Sequence, residues 1–305
     1  MKAYLEKFDF PTPDMEWNEI MYGSEEFKRT CYNNIYPFKI LPEHIRELEF
    51  GPITILYGTN GSGKTTMLNV IAERLGINRS VKINKSTFLN DYVKLCDYEY
   101  KEAPLVTKMI TSDDVFSSLF LTREKNEIID KKREEMIEFR NKCNAPGPDW
   151  LRDAMEDEIG DGNWVENIDV LQKVLSARGK KMTGSKFAKK MVGSNIIGKS
   201  NGETAMEFFY TNINEPGLYL LDEPENSLSA VHQRELAEFL FESVRFFDAQ
   251  IVISTHSPFM LSIPHAKIYN LDDEENIVTE DWTSLNNMIE YYNLFSRFSE
   301  DFKKQ

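Results

Sequence analysis

The chain is expected to form an α/β fold, a mixed sheet flanked by helices and interrupted by a helical insertion. Three observations predict this. An apolar, β-rich run at Ile53, Ile55, Leu56 and Tyr57 leads straight into the glycine-rich "GTNGSGKT", and a helical pattern follows through Met67, Leu68, Val70, Ile71 and Leu75. Two further short apolar runs, Leu218 to Leu221 and Ile251 to Ile253, each end in polar residues suited to a site at the edge of a parallel sheet. Between about Arg123 and Lys199 the β pattern is lost.

The 305 residues are 41% hydrophobic and 28% charged, enough for one large domain or two ordinary ones. No run of about 18 apolar residues is present, and the N-terminus lacks a signal-type apolar stretch. The expectation is a globular, soluble, cytoplasmic protein with no membrane partner. Cys31, Cys96 and Cys143 are scattered and odd in number, so neither a disulfide framework nor a Cys-x-x-Cys metal site is indicated. A formal charge of −14 argues against a surface that grips nucleic acid everywhere. A local basic patch exists, because every charged residue from Lys173 to Lys199 is positive (Arg178, Lys180, Lys181, Lys186, Lys189 and Lys190 among them), whereas Asp149 to Asp169 is almost wholly acidic. Such blocks are usually solvated faces or mobile segments.

Taken in chain order, the N-terminal part, with Pro11, Pro13, Tyr36-Pro37-Phe38 and Leu41-Pro42, is expected to start the sheet and to offer an aromatic for stacking on a base, with no single ring singled out. In the glycine loop, Gly58, Gly61 and Gly63 let the backbone turn and aim its N–H groups inward, and the helix start adds positive charge for a phosphate. Asn60, Ser62 and Thr66 complete that loop; Lys64 is placed for the terminal phosphates and Thr65 for Mg²⁺. The stretch "REKNEIIDKKREEMIEFRNKC" reads as an exposed helix of alternating charge, ended by the turn "NAPGP".

In "GKSNGETAMEFF", Ser200 and Glu203 form a Ser-x-x-Glu capping box; a sharper reading makes Ser200 and Gly202 a phosphate-binding helix start that serves another subunit. After the turn Pro216-Gly217, the strand Leu218 to Leu221 ends in Asp222 and Glu223. Alone, that pair reads as a solvated strand end. With a phosphate loop upstream, Asp222 suits Mg²⁺ and Glu223 suits orienting or deprotonating a water. His256 closes the strand Ile251 to Ile253; a lone histidine is more often structural, yet one beside these acids can sense a γ-phosphate. The helix after Ser229 carries Leu236, Phe239, Leu240 and Val244 at core spacing, and "NMIEYYNLFSRF" reads as an amphipathic helix for core packing or a dimer contact.

This order of motifs resembles the ABC-class P-loop ATPases, within the AAA family in the broad sense, and among them the soluble branch that includes SMC-type chromosome proteins. Gly58 to Thr65 matches Walker A, Leu218 to Asp222 matches Walker B with Glu223 as catalytic residue, "ENSLS" (Glu225 to Ser229) resembles the D-loop and His256 the switch histidine. The chain is more closely similar to small stand-alone bacterial ATPases that share "YPFKILP", "PITILYGTNGSGKTT", "SDDVF", "SNGET" and "LLDEPENSLS". Two departures stand out. "MITSDDVF" occupies the place of the glutamine loop, so Asp113 or Asp114 would supply the Mg²⁺ or water contact, and Asn201 replaces the first glycine of the signature.

The resemblance implies an ATPase core of residues 1–122 and 200–305, with residues 123–199 as a short helical arm or lid that docks a protein partner. It implies Mg-ATP as ligand and a head-to-tail dimer in which Ser200, Gly202 and Glu203 complete a second copy's site. DNA is an open partner, and many proteins of this group resemble components of DNA repair or anti-phage systems. Two alternatives stand beside it: an ATP-gated regulator or scaffold with slow hydrolysis, and a monomeric P-loop phosphotransferase.

Overall fold

A computed structural model describes residues 2–29, 34–77, 79, 86–144, 151, 172, 174–175, 177–178, 183–192, 200–275 and 277–303. The chain divides into two compact units, one of residues 1–117 and 201–305, the other of residues 118–200.

The larger unit is built on a six-stranded sheet in the order β5-β6-β7-β3-β8-β9, formed by β3 (Ile53–Tyr57), β5 (Val106–Thr111), β6 (Gly217–Asp222), β7 (Ala249–Ser254), β8 (Lys267–Asn270) and β9 (Val278–Thr279). Every pairing is parallel except the antiparallel β8–β9. The inner strands are near-continuous apolar runs because both faces are covered. Alternate side chains enter different cores. Ile53, Ile55, Tyr219, Leu221, Ile251 and Ile253 join one, with α6 (Asn201–Asn212) and α7 (Ala230–Phe246). Leu56, Leu218, Leu220 and Val252 join the other, with α2 (Lys64–Arg74). On α7, Leu236, Leu240 and Val244 are buried, and Phe239 packs partly against them.

The N-terminal residues do not start this sheet. β1 (Leu5–Asp9) pairs antiparallel with β2 (Glu47–Glu49) and β4 (Asp97–Tyr100) in a separate three-stranded sheet. The reason lies in the strand itself: Leu5 and Phe8 are buried while Glu6 is exposed and Lys7 half-buried, a one-sided pattern unsuited to a sheet covered on both faces. Pro13 opens α1 (Pro13–Tyr22), where the Thr12 hydroxyl accepts from Met15 N. The two sheets are joined by the buried side chain of Gln250 on β7, whose Oε1 accepts from Tyr4 N (2.7 Å) and Leu5 N (2.8 Å) and whose Nε2 donates to Leu5 O (2.8 Å) and Gly51 O (3.0 Å). α3 (Leu89–Lys94) packs on the same side through Leu89 and Tyr92.

α4 (Ser112–Cys143) begins at Ser112, well before the expected Arg123. Thr111 and Asp114 form its cap: Asp114 Oδ2 accepts from Thr111 N and Oγ1, both at 2.8 Å, and Asp114 N donates back to Thr111 Oγ1. In the smaller unit, Phe139, Cys143, Val174, Ala177 and Phe187 share a core, the last from α5 (Gly184–Val192). The short α8 (Pro258–Leu261) follows β7, and α9 (Asn286–Arg297) and α10 (Ser299–Phe302) close the chain. Of α9 only Met288 is buried, where it joins the main core, while Tyr292 (72% exposed) and Phe295 (55%) face outward, so the expected amphipathic helix packs on the core through its first turn alone.

Candidate functional site

Parallel register brings the carboxyl ends of the central strands abreast. Thr111 pairs with Asp222, Asp222 with Ser254, and Ser254 with Leu56, which lies two residues before the glycine loop. The loop folds tightly on itself. A Cβ on Gly58 would sit 2.5 Å from Ser62 Oγ, and Gly61 (φ 89°) and Gly63 (φ 97°) take left-handed conformations that glycine adopts without steric cost. Ser62 N donates to Thr59 O and Met67 N to Gly63 O, carrying the turn into α2. Asp272, just beyond β8, anchors the loop from outside by accepting from Thr59 N (2.6 Å) and Thr59 Oγ1 (3.1 Å). No motif pointed to Asp272, because its role comes from a strand more than 200 residues away.

Lys64 is buried, and its Nζ donates to Gly58 O (2.8 Å) and Thr59 O (3.0 Å). It thus holds an ammonium at the floor of a pocket of about 430 Å³ lined by Ile40, Asn60, Gly61, Gly63, Lys64, Thr65, Thr66 and Glu223. Thr65 Oγ1 donates to Asp222 Oδ1 at 3.0 Å, and Ser254 Oγ donates to the same oxygen. Burial raises the Asp222 carboxyl above its usual range, opposed by those two hydrogen bonds.

Glu223 has a left-handed backbone, φ 45°, uncommon for a residue with a side chain and worth roughly 1–3 kcal/mol of strain. Its N–H holds that conformation by donating to Ser254 O (3.0 Å) and Ser254 Oγ (3.2 Å). The turn brings the carboxylate to the pocket, where Oε2 accepts from Asn226 Nδ2 (2.8 Å) and Oε1 lies 3.8 Å from His256 Nδ1. That histidine nitrogen is enclosed and has no hydrogen-bond partner among the described residues. A second acid, Glu225, is buried beneath it. Its Oε1 accepts from Thr255 Oγ1 and His256 N (3.4 Å), and burial pushes its pKa up, opposed by the Thr255 bond. Sequence reasoning placed Glu225 only within a loop motif.

The remaining expected residues are more dispersed. Asp114 is committed to capping α4, and Asp113 is exposed on the same turn with no hydrogen bond to Thr65 or Asp222. Ser200 immediately precedes α6; Ser200 and Glu203 are exposed, while Gly202 packs against the His232 ring of α7. None of the three lines the pocket. In the basic stretch, Lys186, Lys189 and Lys190 are exposed on α5 beside buried Phe187 and Ala188; Lys173, Lys180, Lys181 and Lys199 lie outside the described residues, as do Cys31 and nearly all of the acidic stretch from Asp149 to Asp169. Cys96 and Cys143 are buried. Among the described residues no helix is long and apolar enough to cross a membrane.

The family model described as "ABC transporter" matches residues 46–226, a span that contains the glycine loop, the start of α6, Asp222 and Glu223. The chain belongs to the ABC transporter family. This ABC-class P-loop ATPase also matches, over residues 209–262, a model described as "AAA domain, putative AbiEii toxin, Type IV TA system". It is 24% identical over 213 residues to ABC transporter G family member 22 of Dictyostelium discoideum, covering 68% of this chain and 29% of that protein, so the chain spans less than a third of that relative's length. Solved structures that resemble it include an SMC head of Pyrococcus furiosus bound to the C-terminal domain of ScpA (TM-score 0.39, 13% identity, 89% of this chain and 94% of the other). Another SMC head, bound to the C-terminal winged-helix domain of ScpA, gives TM-score 0.43 at 15% identity over 88% and 94% of the two chains. A dimeric ATP-binding cassette bound to ADP and Pi gives TM-score 0.31 at 14% identity over 74% and 85%.

Proposed function

We propose that this ABC-class ATPase binds Mg-ATP in the glycine-loop pocket, hydrolyses it with Glu223, and pairs head to tail with a second copy of itself. The observation that carries the reading is the meeting of Lys64, the Thr65–Asp222 pair and Glu223 around one pocket. Thr65, which lines the pocket, and its partner Asp222, with oxygens 3.0 Å apart, are hard donors of the kind that hold Mg²⁺ beside phosphates. When bound, Mg²⁺ supplies charge neutralisation at the terminal phosphates.

The protein's own groups then divide the work. Lys64 exchanges its two carbonyl partners for phosphate oxygens, and the N–H groups around Gly61 and Gly63 face the same charge. Glu223, held by Asn226 and by its own strained backbone, orients a water and accepts its proton. His256, with an enclosed and unpartnered nitrogen 3.8 Å from Glu223, senses the γ-phosphate. Asp113 is exposed in the first turn of α4.

Pairing is supported by the start of α6: Ser200 and Gly202 lie at its N-terminal, positive end, a charge suited to a second copy's nucleotide. The smaller unit, residues 118–200, has its own core and is the segment we assign to a protein partner. The toxin–antitoxin wording of the second family model supports a defence role for that pairing. The net charge of −14 favours a protein partner over nucleic acid for this unit.

Steady-state turnover tests the chemistry. Glu223→Gln is expected to lower kcat by about 100-fold or more while nucleotide binding persists, and Lys64→Ala to lose nucleotide binding. Turnover unchanged in Glu223→Gln would remove Glu223 from the reaction. A very low kcat in the parent chain, with binding intact, would favour an ATP-gated scaffold.

A further inference from the structure

His232 occupies a position that no motif marked. Its ring fills the space beside Gly202 at the start of α6: a Cβ on Gly202 would overlap ring atoms Nδ1 and Cε1 and crowd Cγ. Its Nδ1 also shares a hydrogen bond of 2.9 Å with Ser229 Oγ. Ser229 is the N-cap residue of α7, where a serine hydroxyl ordinarily accepts from a backbone N–H of the first turn. Here it makes no such bond, and the hydroxyl is turned to His232 instead. One imidazole therefore touches both the glycine start of α6 and the end of the segment that follows Glu223.

The neighbouring residue extends the link. Gln233 Nε2 donates to Leu228 O (3.0 Å), and its Oε1 accepts from Ser257 Oγ (2.8 Å), next to His256. Further along, α6 and α7 are tied by the Tyr210 hydroxyl, which donates to Glu235 Oε1 (2.7 Å), and by the edge-on contact of the Tyr210 and Phe239 rings. With the far end held, the ring of His232 sets where Gly202 lies relative to Ser229.

We propose that His232 is a positioning residue that keeps the start of α6 and the Ser229 end of the loop after Glu223 at one separation, so that both engage a second copy of this chain together. Through Gln233, the same turn of α7 reports the state of the strand end carrying His256. The inference rests on the head-to-tail reading above.

The test uses full-length protein carrying Glu223→Gln as the reference, with pairing followed by sedimentation against Mg-ATP concentration and nucleotide affinity measured separately with a fluorescent ATP analogue. Adding His232→Ala is expected to leave that affinity within about twofold and to raise the ATP needed for half-maximal pairing roughly tenfold. Gly202→Ala alone should impair pairing too, because its Cβ needs the space of the ring, and the double variant should be no worse than His232→Ala. His232→Asn, which keeps a polar atom for Ser229, should recover part of the loss. In the otherwise unaltered chain, His232→Ala should raise the ATP concentration for half-maximal turnover in step with that for pairing, with kcat at saturating ATP little changed. His232→Ala that pairs like the reference, or Gly202 and His232 effects that simply add, would overturn the proposal. A reference protein that binds ATP yet never pairs would overturn the head-to-tail reading, and this inference with it.

Discussion

At the scale of single residues, the site is held by groups whose burial is costly. Asp222 is raised by burial from an ordinary carboxyl value of 3.8 and carries a charge the unliganded fold pays for. A carboxyl raised in the folded state adds stability that is complete below the unfolded pKa and is lost as pH rises through the folded one. Asp222→Asn is therefore expected to raise the Tm of the nucleotide-free protein at pH 7–8, with the gain shrinking as pH falls toward 4; scanning calorimetry without Mg²⁺ measures it. A gain that is flat with pH would mean that charge is not its source. The acids Asp222 and Glu223 were legible because they end an apolar run downstream of a phosphate loop. Glu225, Asp272 and His232 were not, because each acquires its role from a partner on another element: Thr255, Thr59 and Gly202 respectively.

At the scale of elements, local pattern and local structure agree where one run of sequence contains the whole unit. β3, the glycine loop and α2 are contiguous, and β6 and β7 are short apolar runs between turns, so all were readable. The N-terminal sheet was not, since β1 pairs with β2 and β4, about 40 and 90 residues away in sequence, and only the one-sided burial of β1 hints that it stands apart. What joins that sheet to the main one is the amide of Gln250. Gln250→Leu would leave four backbone groups at Tyr4, Leu5 and Gly51 short of a partner and is expected to cost at least about 3 kcal/mol in urea denaturation. A cost below about 1 kcal/mol would show that water or a shift of β1 replaces those bonds.

For the whole molecule, the pocket gathers the glycine loop, Thr65 and Glu223 within one chain, while the helix start at Gly202 lies outside the pocket lining. Aromatic residues of α9 and α10 are exposed, and the proposed division of the nucleotide site between two copies is the claim on which the rest depends. Sedimentation of the Glu223→Gln chain tests it most directly. The mass of one chain is expected without nucleotide and twice that mass in saturating Mg-ATP. A protein that binds Mg-ATP and still sediments as one chain would contradict it.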